Sequence, residues 1–324
     1  MTEIVAVDLG GTHARFAIAE VAGGRVVRLG DDCTLKTAEH SSLQSAWRTF
    51  GVRIGRPLPP AAGIAVAGPV EGEMLKLTNN AWTIRPASIP EELGAERYTL
   101  VNDFGAVAHA VAQLGEEHFS HLCGPGRSLP EEGVISIVGP GTGLGVAQLL
   151  RRDGRCHVIE TEGGHMDFAP LDEIEDRVLA HLRMRHRGRV SVERIVSGPG
   201  LLDLYEALAA IEGADVRFGD EKALWAEVLA GDESLAAAAF DRFCLSLGAV
   251  AGDIALAQGA QGVVIGGGLG RRLAGRLPRS GFRGRFIAKG RFERRMDEMP
   301  VKIIIHEQPG LFGAAAAFAA EHLE

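Results

Sequence analysis

Ile4-Val5-Ala6-Val7-Asp8-Leu9-Gly10-Gly11-Thr12, followed by Arg15-Phe16-Ala17-Ile18-Ala19, is the stretch that decides the fold. Ile4 to Val7 is a buried-type strand. Asp8 to Thr12 makes a tight turn, and Arg15 to Ala19 returns as a second strand. Gly23-Gly24 turns the chain again, into Arg25-Val26-Val27-Arg28-Leu29. The chain therefore opens as an antiparallel meander. A dinucleotide-binding unit would run from its Gly-rich turn into a helix instead, so these glycines are not that fingerprint.

The same unit recurs further on. Gly133 to Val138 reads as a buried strand, Gly139-Pro140-Gly141-Thr142-Gly143 as a Gly-rich turn, and Leu144 to Leu150 as the returning strand. The repeat is one of kind, with a period of about 130 residues, far beyond solenoid range. It points to two related α/β halves facing one another. Between them lie a helix over Ser42–Val52, a strand over Ala62–Ala67, a segment Met74–Thr78 ending in Asn79-Asn80, and a short helix over Ser88–Leu93. Tyr98-Thr99-Leu100-Val101 is a further strand that stops at Asn102-Asp103, before an apolar helix. Two readings of that junction stand side by side. One is a helix N-cap; the other is a carboxylate at the carboxyl end of a strand, where open α/β sheets place their chemistry. The remainder is mainly helical: Leu171–Arg187, Gly200–Ile211, Glu221–Leu229, Ser234–Gln258 and a closing Ala314–Ala320, with strands at Gly262–Ile265 and Val301–Ile305.

Length and composition narrow the function. At 324 residues, two domains are the prior. Hydrophobic residues make up 46% and charged residues 23%, as in soluble globular proteins. The net charge of −8 disfavours nucleic acid as a partner. The four cysteines form no CxxC pair, so a zinc site and a disulfide framework are both unsupported. No signal-type segment opens the sequence and no uninterrupted apolar run reaches a membrane span, so a cytoplasmic protein without a membrane partner is expected.

The motifs suggest what is bound. Gly10, Gly11 and Thr12 suit a phosphate, because glycines let backbone N–H groups approach it closely and the threonine adds a hydroxyl. Asp8 at the strand end suits the Mg²⁺ that accompanies a nucleotide, through water. Gly141, Thr142 and Gly143 repeat the arrangement, and two such turns would clamp a triphosphate. Gly266-Gly267-Gly268 after a buried strand lets a flat group such as adenosine lie against the backbone. Each of these is also readable as a plain tight turn. Glu162-Gly163-Gly164-His165 and Glu193 suit a polyol, since a carboxylate accepts from two hydroxyls; Met166-Asp167-Phe168 would anchor their loop. The basic stretches Arg283–Arg285 and Lys289–Arg295 read as a solvated face or an anion-steering rim. A Gly-x-Ser-x-Gly elbow and the P-loop signature are both absent.

Taken together, these residues resemble the bacterial glucokinase family of the sugar kinase/actin/Hsp70 superfamily. The resemblance runs through Asp8–Thr12, Leu77–Trp82, Val101–Phe104, Gly139–Gly145, Glu162–Pro170, Glu193–Gly200, Gly266–Gly268 and Gln308–Gly313. It implies a two-domain ribonuclease H-like fold with an interdomain cleft, a small domain of 1–106 plus 308–324 and a large domain of 107–307. It implies ATP-dependent phosphorylation of the glucose 6-hydroxyl, with glucose held by Asn102, Asp103, Glu162, His165 and Glu193, and Asp103 as general base. ATP with Mg²⁺ would meet Asp8, Gly10, Gly11, Thr12, Gly141, Thr142, Gly143, Gly267 and Gly268. A homodimer is implied as well. Absence of the cysteine-rich zinc motif places the resemblance in the zinc-free branch. Alternatives are a kinase of another hexose or a sugar-sensing regulator, though a strand starting at Ile4 leaves no room for a helix-turn-helix before it. Two departures stand out: His13 follows Gly-Gly-Thr where the family has Asn, and Gly105 stands where Thr is common.

Overall fold

The computed structural model describes residues 1–77, 80–231 and 233–323. The expected segment end at Thr78-Asn79 lies outside these described residues. The chain divides into two compact units, Met1–Gly115 with Val158–Glu160 and His306–Glu324, and Glu116–His157 with Thr161–Ile305.

The first unit opens with strands β1 (Thr2–Leu9), β2 (His13–Ala22), β3 (Arg25–Leu29) and β4 (Cys33–Lys36), then helix α1 (Leu43–Ile54). Strand β5 (Ala61–Val66), the short pair β6 (Leu75–Lys76) and β7 (Thr83–Ile84), and helix α2 (Ile89–Leu93) follow. Strand β8 (Arg97–Asn102) runs directly into helix α3 (Asp103–Gln113). The sheet order is β3-β2-β1-β5-β8, with β4 also on β2. β1 and β2 pair antiparallel, while β1, β5 and β8 are parallel neighbours. Strand periodicity divides β1 between two cores. Val5, Val7 and Leu9 join Phe16, Trp47 and Phe50 on one face; Ile4 and Ala6 join Leu311, Ala315 and Phe318 of the chain's last helix on the other. The Phe16 and Phe50 rings stack at 5.3 Å. Helix α3 groups wholly with this unit, so the chain leaves it after Gly115 and not within the helix.

The second unit carries β9 (Phe119–Cys123), β10 (Gly133–Pro140), β11 (Leu144–Arg152) and the ends of β12 (Arg155–Thr161), whose residues 158–160 group with the first unit. Helices α4 (Glu173–Arg185), α5 (Gly198–Glu212), α6 (Glu221–Ala230) and α7 (Ser234–Ala257) come next. Then follow β13 (Gly262–Ile265), α8 (Gly267–Arg272), α9 (Phe282–Ile287), α10 (Glu293–Asp297) and β14 (Val301–Ile304), and finally α11 (Pro309–His322) returns to the first unit. The sheet order is β12-β11-β10-β13-β14-β9, which repeats the plan of the first sheet: an antiparallel β10/β11 pair, then parallel β10, β13 and β14. The repeat extends to burial. Residues 11–20 and 141–150 show the same sequence of buried, half-buried and exposed positions throughout.

Side-chain caps define the helix starts. Ser42 accepts from Ser45 N, Asp172 from Glu175 N, Ser197 from Gly200 N and Asp220 from Ala223 N, each satisfying an orphan donor of the first turn. This is why α4 starts at Glu173 and not at Leu171. α7 is long and apolar enough to cross a membrane by length and composition, yet 67% of its most apolar window is buried inside the protein. Phe243 and Cys244 sit in the core, and Phe243 packs edge-on to Trp225 at 5.5 Å.

The basic stretch 283–295 is only partly a solvated face. Arg285 is half-buried, 2.5 Å from Asp172 and 3.5 Å from Glu175, where Arg242 joins the same cluster. Lys289 is nearly buried, donates to Ala249 O at 2.9 Å and pairs with Asp253 at 2.6 Å. These two cations pair with carboxylates on α7 and at the start of α4 and so are not available for steering an anion.

Candidate active site

In the first unit the parallel strands bring the phosphate-type turn and the Asn-Asp junction to one edge. Leu9 is in register with Val66, and Val66 with Asn102, so Gly10–Thr12 and Asp103 follow the carboxyl ends of β1 and β8, the two strands that flank β5. That edge is where α/β sheets bind ligands. Gly10 N donates to His13 O at 2.9 Å, Thr37 N to Thr12 O at 3.0 Å, and Thr37 Oγ1 to Gly11 O at 2.9 Å. These bonds tie the turn's carbonyl oxygens back, as an anion-binding turn requires. Thr12 is exposed at the tip, its Oγ1 3.1 Å from His13 Nδ1. His13, the departure from the family pattern, thus touches the threonine expected to meet phosphate. Asp8 pairs with Arg15 at 3.0 Å. Burial raises its carboxyl above the usual range, and the Arg15 guanidinium partly opposes this.

The structure shows which residue of the junction caps the helix. Asn102 is the cap: its Oδ1 accepts from Phe104 N at 2.8 Å and Gly105 N at 3.3 Å, and its Nδ2 donates to Gly68 O at 3.2 Å. Asp103 is the first residue of α3, half-buried, and its Oδ1 lies 3.0 Å from Phe104 N. An acidic side chain there complements the positive end of the helix. Asn102 keeps a second Nδ2 hydrogen beyond the one given to Gly68 O, since a primary amide carries two donors.

In the second unit the Gly139–Gly143 turn, Gly267 and Glu193 meet. Gly141 O accepts from Gly198 N at 2.7 Å. Leu144 N donates to Glu193 Oε2 at 2.9 Å, and a Cβ on Gly143 would stand 2.3 Å from that oxygen. Gly267 has φ +75°, and a Cβ there would lie 2.5 Å from Pro140 O. Thr142 is exposed at the tip, as Thr12 is in its own turn.

Glu162 precedes and His165 ends a single 3-10 turn, Gly163–His165. Their side chains are 60% and 58% exposed and 3.8 Å apart. Gly164 is pressed onto β11 so closely that a Cβ would fall 2.0 Å from Leu144 O. The loop is anchored as expected: Phe168 is buried and its N donates to Val190 O at 2.9 Å, while Val192 N donates to Met166 O at 2.8 Å. Arg189 completes the anchor, pairing with Asp167 at 2.8 Å and donating to His165 O. Residues 162–168 therefore run beside 189–193, which brings His165 and Glu193 onto one cavity of about 320 Å³ with His186, Arg187, Arg189, Ser191 and Arg194. Arg189 and His186 belong to no sequence motif: His186 lies in the basic last turn of the predicted helix Leu171–Arg187, and Arg189 just past its end.

A family model described as Glucokinase matches residues 5–321. The glucokinase of Zymomonas mobilis subsp. mobilis is 64% identical over 322 residues, covering 99% of each chain. The crystal structure of a glucokinase from an Antarctic psychrotroph superposes with a TM-score of 0.84 at 33% identity, over 98% of both chains. A ROK family glucokinase from Streptomyces griseus, in complex with glucose and AMPPNP, matches at TM-score 0.62 and 20% identity, over 97% of this chain and 98% of that one; at that identity the likeness concerns the fold alone, the two-domain actin-like fold of the sugar kinases. With the Gly-rich turns, the Asn-Asp junction and the Glu-Gly-Gly-His turn all inside the matched region, this chain belongs to the glucokinase family.

Proposed function

We propose that this chain is an ATP-dependent glucose kinase in which Asp103 accepts the proton of the 6-hydroxyl as that oxygen attacks the γ-phosphorus. The observation that carries the reading is the shared sheet edge: Asp103 and the Gly10–Thr12 turn follow in-register strand ends. The family membership and the 64% identity to the Zymomonas mobilis glucokinase support it. The bond that forms joins O6 to the γ-phosphorus, the bond that breaks is that to the β,γ-bridging oxygen, and ADP carries away that electron pair. Little covalent work is left to the protein, so positioning and charge neutralisation supply most of the acceleration.

Each residue has a role in this proposal. Glu162 and Glu193 accept from sugar hydroxyls, while His165 and the second Nδ2 hydrogen of Asn102 complete the set. Gly11, Thr12, Thr142 and Gly143 present donors to the phosphates, Gly10 and Gly141 close the two turns by donating to His13 O and Gly143 O, and Gly267 and Gly268 give the adenosine a flat floor. The two compact units serve as the small and large domains. Among the described residues no cluster of three or more His, Cys, Asp or Glu could cage a metal, and Asp8 already shares its charge with Arg15. That donor set fits Mg²⁺ held chiefly by nucleotide phosphates and water, with Asp8 at second remove, as is usual for this ion. When bound, Mg²⁺ neutralises phosphate charge. The family resemblance extends the proposal to a cytoplasmic homodimer, which light scattering of the purified protein tests.

The test is a panel of glucose, mannose, fructose and glucosamine with ATP, following ADP release. The proposal expects glucose to give the highest kcat/KM. Equal ADP release with and without sugar would overturn it.

A further inference from the structure

In a capping box, the side chain at the third helical position reaches back to the cap residue's own N–H. In α3 that third position is Gly105, which has no side chain. The Asn102 N–H donates instead to Glu160 Oε1, at 2.7 Å, from β12. The carboxylate stands where a side chain on residue 105 would be: a Cβ on Gly105 would lie 2.3 Å from Glu160 Oε1 and 2.9 Å from its Cδ and Cγ. Glu160 and Gly105 are thus complementary, a carboxylate and the space for it. The departure at Gly105 has its physical reason here. Val158–Glu160 groups with the first unit, and two residues on is Glu162.

We infer that Glu160 is a positioning residue for Asp103. It supplies the capping-box carboxylate from outside the helix. In doing so it fixes the first turn of α3, and with it the place of Asp103, and ties that turn to the segment that leads into Glu162 and His165. Glu160 acts on Asp103 through the backbone of Asn102. The inference rests on the assignment of Asp103 as base.

The test is a double-mutant cycle on residues 105 and 160, read by steady-state kinetics and thermal unfolding. Glu160→Ala should lower kcat about ten- to a hundredfold, the scale of a misplaced reacting group, with KM for ATP unchanged. Glu160→Gln, whose Oε1 still accepts from Asn102 N, should recover most of that loss. Gly105→Thr should lower kcat by displacing the carboxylate, and should add nothing in the Glu160→Ala background. Wild-type kcat in Glu160→Ala, or losses that multiply in the double variant, would overturn the inference. The unfolding cycle reads the 105–160 coupling without reference to catalysis. A normal turnover in Asp103→Asn would instead defeat the base assignment and leave that coupling standing.

Discussion

Replacing Gly313 by alanine gives a test in which sign alone discriminates. Gly313 lies inside α11, where glycine is about 1 kcal/mol worse than alanine on helix propensity. On an open helix surface the substitution stabilises. Here a Cβ would stand 1.7 Å from Ala106 O, 2.4 Å from Ala106 C and 3.0 Å from its Cα. These are backbone atoms of α3, so no rotamer change relieves the overlap; the two helices must separate. Leu311, Ala314, Ala315 and Phe318 are fully buried in the same helix and lose contacts when it moves. Overpacking of this kind costs roughly 1–3 kcal/mol, and a rigid backbone partner places it at the upper end. After the propensity gain, a net loss of about 2 kcal/mol remains, a fall in Tm of about 4–8 °C. Gly284 in α9 is the matched control: it is exposed, and a Cβ there meets nothing within 4 Å. Gly284→Ala should leave Tm unchanged or raise it slightly. Differential scanning calorimetry of the two variants settles the matter, and a Gly313→Ala protein as stable as wild type would refute the close α3–α11 packing.

Other expectations follow from single groups. Burial holds His109 down to about 4, against the weaker pull of Glu321; the unfolded value is about 6.5. A depressed folded value means that the unfolded chain binds the extra proton, so stability should fall as pH drops from about 6.5 toward 4. His109→Gln should flatten that slope in Tm-against-pH scans; identical slopes would remove His109 from the account. Gly267→Ala forces a side chain into a left-handed conformation against Pro140 O and should raise KM for ATP about tenfold or more, with little change in KM for glucose. Gly164→Ala, which pushes the His165 turn off β11, should do the reverse in initial-rate kinetics.

What was legible in the sequence is local. The meander of Ile4–Leu29 and its echo at 133–150 show themselves through alternation and turn glycines, which act between near neighbours. The short strands Cys33–Lys36 and Phe119–Cys123 have too few residues to reveal a period, and they take their form from pairing with β2 and β14. Helices α8 to α10 are equally short, and their arginines read as surface because partners such as Asp172 lie far off in sequence. At the site, residue types pointed to the junction and to the Glu-Gly-Gly-His turn. Which of Asn102 and Asp103 caps the helix was not readable, since both types cap well. Glu160 was invisible for a further reason: its partner is 58 residues away, and its room is made by the absence of a side chain at Gly105.

Asp103→Asn tests the central claim most directly. The variant keeps the side chain's size and its place at the start of α3 but not its capacity to accept a proton. Glucose affinity, measured by calorimetric titration, should stay within a few-fold of wild type, while kcat falls about 10²–10⁴-fold, the share a general base supplies. Near-normal turnover with intact glucose binding would contradict the account.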